Sequence, residues 1–69
     1  MTPLQVKLDK TANHILSRVR KTVARNSHTH PSTLDKLAND KDVEVRILVA
    51  RNKNTSAKTL DKLADEKNY

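Results

Sequence analysis

The feature that most constrains this chain is an internal repeat. The stretch from Val19 to Ala38 (VRKTVARNSHTHPSTLDKLA) returns almost intact from Val45 to Ala64 (VRILVARNKNTSAKTLDKLA). At a shift of 26 positions, 13 of the 20 residues are identical, more than two unrelated amphipathic helices would share. Self-similarity at such a period marks a repeat array, in which each unit buries its apolar face only against a neighbour. Sliding once more toward the N-terminus sets Leu8-Asp9-Lys10-Thr11-Ala12-Asn13 over Leu34-Asp35-Lys36-Leu37-Ala38-Asn39. Residues 1–18 therefore read as a degraded copy ahead of repeats 19–44 and 45–69, all within one domain spanning 1–69. That makes about two and a half units, close to the minimum of about three that a stacked core needs.

The chain has no glycine and two prolines, and its apolar residues recur at intervals of three and four, so the expected fold class is all-α. Thr2-Pro3 reads as a helix start, with a capping hydroxyl and a proline at the first helical position. Leu4, Leu8, Ala12, Ile15, Val19 and Val23 follow as one apolar stripe, which places Val19 and Val23 on the core side. A weak break near Ser17 or a single helix continuing to Arg25 fits this stretch equally well. Asn26 and Asn52 end their helices at a position suited to a left-handed residue, and Thr29 and Thr55 are expected to cap the next helices, with Pro31 in a first turn. Asp42 is expected to cap the helix that carries Val45, Leu48 and Val49 on one face. In the shorter helices Leu34, Leu37 and Ala38 share a face, as do Leu60, Leu63 and Ala64, while Asp35, Lys36, Asp61 and Lys62 are expected to point outward.

The order of Val19, Arg20, Val23, Ala24, Asn26, Thr29, Leu34, Leu37, Ala38, Asp40, Val45 and Arg46, repeated at Val49, Ala50, Asn52, Thr55, Leu60, Leu63 and Ala64, resembles the leucine-rich repeat variant family. The resemblance implies a right-handed helical-repeat solenoid in which α-helices alternate with shorter, sometimes 3₁₀, helices. Ser27, Lys53 and Val43 stand where that family usually has proline, and the unit is slightly longer. Some members carry a cysteine-ligated iron–sulfur cluster near the N-terminus. This chain has no cysteine and cannot, so no cofactor is expected.

Composition narrows the function classes. A chain of 69 residues buries only about 60% of its unfolded surface. With 35% hydrophobic residues and a single aromatic, its core must be built from Leu, Val, Ile and Ala. The absence of cysteine excludes disulfides and thiolate metal sites. No apolar run approaches the roughly 20 residues of a membrane span, and MTPLQVKLDK lacks a basic region followed by an apolar one, so a soluble, cytoplasmic protein with no membrane contact is expected. His28 and His30 share a loop while His14 is distant, which suits turn filling better than metal ligation. There is no nucleophile elbow or glycine-rich phosphate loop, so the expectation is a protein that is not an enzyme. A helix-turn-helix reading around Leu37 to Arg51 lacks the usual turn glycine, and the repeat accounts for the same residues.

Charge locates the candidate site. The formal net charge is +6, and residues 1–30 hold six Lys/Arg against one acid, whereas residues 31–69 hold eight against seven. Arg18, Lys21 and Arg25 form a basic stripe at helical spacing, which Lys7 and Lys10 extend. The equivalent positions in the next copy are Glu44, Ile47 and Arg51, so the stripe is not a requirement of the repeat. Arg20 and Arg46 recur identically, with Asp35, Asp40, Asp42 or Asp61 available nearby, and read as structural ties between neighbouring units. Ile47 reads either as packing on the following helix or as an exposed contact. The leading expectation is a module mediating protein–protein interaction, with self-association a further option. The alternative is a nucleic-acid-binding protein that contacts phosphates through Arg18, Lys21, Arg25 and Arg51.

Overall fold

Helix-forming sequence between polar turns gives four helices in the structure, a computed structural model that describes residues 15–65. Helix α1 is continuous over residues 15–25, with no break at Ser17. It is followed by α2 (Pro31–Leu37), α3 (Val43–Arg51) and α4 (Ala57–Ala64), and no strand occurs among the described residues. The Thr2-Pro3 start, the stripe through Leu4, Leu8 and Ala12, His14, and the cations Lys7 and Lys10 lie outside the described residues. The shorter helices α2 and α4 are α-helical rather than 3₁₀. Tighter bonds occur where α2 ends, from Asn39 N to Lys36 O at 3.1 Å and from Asp40 N to Leu37 O at 3.0 Å.

The turns differ from the sequence expectation in an instructive way. No described residue has a positive φ, and Asn52 leaves α3 in an extended conformation at φ −74°, ψ 124°. The asparagines act through their side chains instead. Asn26 Oδ1 accepts the His28 N–H at 2.9 Å and Asn52 Oδ1 accepts the Asn54 N–H at 2.8 Å, closing a turn without left-handed backbone. Thr29 and Thr55 do not cap the following helices. Their hydroxyls donate backward at 2.6 Å to the carbonyls of Val23 and Val49, giving each a second donor beside the Asn26 or Asn52 N–H that closes the last turn. Capping falls to the next residue: His30 Nδ1 accepts from Ser32 N at 3.1 Å, and Ser56 Oγ accepts from Thr59 N at 3.2 Å. Asp42 caps α3 as expected, accepting the Glu44 N–H at 2.9 Å.

The core consists of Ala24, Leu34, Ala38, Val45, Val49 and Leu63, with Leu37, Leu48 and Ala50 packed against it. Val19 is not on the core side. It is 54% exposed, and α1 meets the core through Ala24. The correction follows from stacking, because identical residues in the two copies differ in burial according to which side packs on the other described copy. Val45, Val49, Asn52, Thr55, Thr59 and Leu63 are buried while their equivalents Val19, Val23, Asn26, Thr29, Thr33 and Leu37 are not. The reverse holds for Ala24, Leu34 and Ala38, buried where Ala50, Leu60 and Ala64 are not. The first set faces back toward the previous repeat and the second faces forward.

Candidate interaction surface

The junction between the copies defines what any unit can offer a neighbour. The Asn52 amide nitrogen reaches back to donate to the carbonyls of Ala24 and Asn26, both at 2.8 Å, and the Asn54 amide donates to Thr29 O at 2.6 Å. Farther along, the Thr59 hydroxyl donates to Asp35 Oδ1 at 3.0 Å, with Lys62 Nζ at 3.8 Å from the same oxygen. Asp35 and Lys62, expected to point outward, are therefore half-buried and turned toward each other. Sequence reading missed this role because Asp35 and Lys36, or Asp61 and Lys62, are indistinguishable until the direction of stacking is known.

A second set of contacts ties α1 to the start of α3. Arg20 grips Asp40 through Nε at 2.6 Å and Nη2 at 3.3 Å, and Arg46 Nη1 donates to the Asp40 carbonyl at 2.6 Å. Only Arg46 ties one unit to the preceding one; Arg20 closes its own repeat, so the recurrence of the two arginines does not give them the same partner. Ser17 Oγ donates to Asp42 Oδ2 at 2.7 Å. That hydroxyl, then the Glu44 N–H and the nearby Lys21 and Arg20 charges, hold the Asp42 carboxyl below the usual aspartate value of 3.8.

The predicted basic stripe divides in the structure. Lys21 turns toward α3, with Nζ 2.6 Å from Glu44 Oε2 and 3.9 Å from Asp42 Oδ2, and the bond to Glu44 raises its pKa above 10.5. Its charge is matched within the fold. Arg18, Arg25 and Arg51 are exposed and form no ion pair among the described residues. Arg18 borders a groove whose floor is Ile15, Val19, Thr22 and Val23. Beside it Ile15 and Leu16 are each 56% exposed. Ile47, by contrast, is half-buried and lies outside the core cluster. Among the described residues no group of three or more His, Cys, Asp or Glu could hold a metal ion, and no helix is long and apolar enough to cross a membrane.

Comparison with known proteins places this geometry. Residues 18–42 match the family described as leucine rich repeat variant, a span that runs from α1 through α2 to the cap of α3. No curated protein and no solved structure matches the chain.

Proposed function

We propose that this helical-repeat chain, with a leucine rich repeat variant unit at residues 18–42, is a non-enzymatic module that binds other proteins through the surface of its stacked helices. The observation that carries the reading is the exposed apolar strip of α1, where Ile15, Leu16 and Val19 stand in water in a chain with only 35% hydrophobic residues. Contiguous apolar surface rimmed by polar groups marks a contact site, because exposure alone contributes nothing to folding. Arg18 borders the strip and, with exposed Arg25 farther along α1, would steer acidic groups of a partner onto it. Arg51, and Lys7 and Lys10 at the N-terminal side, are further candidates for the same contact. The reading places the protein in the cytoplasm, with repeats 19–44 and 45–69 in a right-handed solenoid.

The nucleic-acid alternative keeps Arg18, Arg25 and Arg51 but has Lys21 already neutralised by Glu44. The groove that Arg18 borders is lined by no aromatic side chain on which a base could stack, the one Phe, Trp or Tyr of the sequence being Tyr69. A benzophenone-bearing residue substituted for Val19 tests both readings in cell extract, with the same residue at exposed Lys53 as control. Protein adducts from position 19 that disappear on Arg18→Glu and Arg25→Glu are expected. Adducts with nucleic acid would favour the alternative, and no adduct from position 19 would contradict both.

A further inference from the structure

We infer that the partner is a second copy of this chain, stacked end to end, with the Val19–Val23 face of one copy seated on the Leu60–Ala64 face of the next. The inference rests on the reading of that surface as a protein-binding face and names its occupant. Inside one chain, α3 presents Val45 and Val49 to α2, whose Leu34 and Ala38 complete the buried cluster. The residues one repeat earlier, Val19 and Val23, are the same two valines, and those one repeat later, Leu60 and Ala64, are the same leucine and alanine. Both faces are open among the described residues, with Val19 at 54% and Leu60 at 39% exposure. Each of these two faces thus holds one half of a junction that the described residues already form once.

The polar groups match as well. Asn26 is the counterpart of Asn52, and its amide nitrogen donates to nothing among the described residues. The acceptors it would need are the carbonyls of Ala50 and Asn52, counterparts of those of Ala24 and Asn26. Thr33 and Lys36 correspond to Thr59 and Lys62, and Asp61 corresponds to the Asp35 that receives them. Lys36 and Asp61 form no ion pair among the described residues. One bond is not reproduced in kind, since His28 stands where Asn54 donates to Thr29 O. A contact between two different faces of the same molecule leaves one face of each end copy unused, so assembly runs past a dimer, and a series that continues the stacking direction of the chain is open.

Sedimentation velocity of the full chain from low micromolar to millimolar concentration tests the inference. The expected result is a weight-average sedimentation coefficient that keeps rising with concentration. Lys36→Asp and Asp61→Lys each set like charges across the junction, so each variant alone is expected to lose the rise. An equimolar mixture of the two restores opposite charges at every contact and is expected to recover it. Both positions are exposed, so unchanged circular dichroism and melting temperature serve as the folding control. A wild-type chain that stays monomeric throughout, whether its Val19 face is covered by its own chain or by a different protein, would overturn the inference. So would single variants that assemble as the wild type does. Cross-linking of another protein from position 19 by a monomeric chain would leave the binding reading standing and remove only self-stacking.

Discussion

Asn52 joins the two copies through polar contacts that no aliphatic residue at the junction can make. Its side chain closes a turn through Oδ1 and donates through Nδ2 to two carbonyls of the preceding copy, all while 8% exposed. Truncation removes the side-chain donor from the buried Ala24 carbonyl, so Asn52→Ala is expected to destabilise the fold by about 1–3 kcal/mol, read as a loss of several degrees in Tm. Asn26→Ala at the exposed equivalent position is expected to change stability by no more than about 0.5 kcal/mol when measured at low protein concentration. Asp42 gives a pH signature at the same scale. Its carboxylate is favoured in the folded state by the Ser17 hydroxyl and the Glu44 N–H, so its pKa is lower folded than unfolded. The stability it contributes is complete above the unfolded value and is lost as pH falls below about 4 through the folded one. Acid titration of Tm is expected to show this loss, and Ser17→Ala is expected to flatten it. Lys21 has the opposite sense, contributing below 10.5 and losing its contribution at more alkaline pH.

Among the helices, position in the stack decides what a side chain is worth. Leu34 in α2 and Leu60 in α4 occupy the same place in identical LDKLA text, yet only Leu34 has a repeat packed on it. Leu34→Ala is expected to cost about 2–5 kcal/mol in chemical denaturation. Leu60→Ala is expected to cost less than about 1 kcal/mol, because a side chain already in contact with water leaves a smaller cavity. The helices, their approximate ends, the Asp42 cap and the inter-unit tie through Arg46 were legible in the sequence because each follows from local spacing or residue chemistry, whereas Arg20 pairs within its own repeat. The assignment of Val19 to the core was not, since the apolar period of α1 is the same whether its neighbour is present or absent. Thr29 and Thr55 were misread for a related reason: a hydroxyl beside a helix start resembles a cap until the backward carbonyl is seen at 2.6 Å. Of the candidate site, the exposure of Arg18 and Arg25 was legible, while the pairing of Lys21 with Glu44 required knowing that α1 lies against the start of α3.

At the scale of the molecule, the two copies form one stack in which a residue's environment depends on its neighbours rather than on its own repeat. Stability in such an array is a sum of unit and junction terms, so adding a unit adds a junction. The direct measurement is thermal and urea unfolding of a chain in which residues 39–64 are duplicated after Ala64, which keeps the 26-residue register. The duplicate covers Ala50, Leu60 and Ala64 as their counterparts Ala24, Leu34 and Ala38 are covered now. A higher Tm together with a steeper dependence on urea is the predicted result, reflecting more surface buried in one cooperative unit. A Tm no higher than that of the parent chain, with an unchanged urea dependence, would contradict the account.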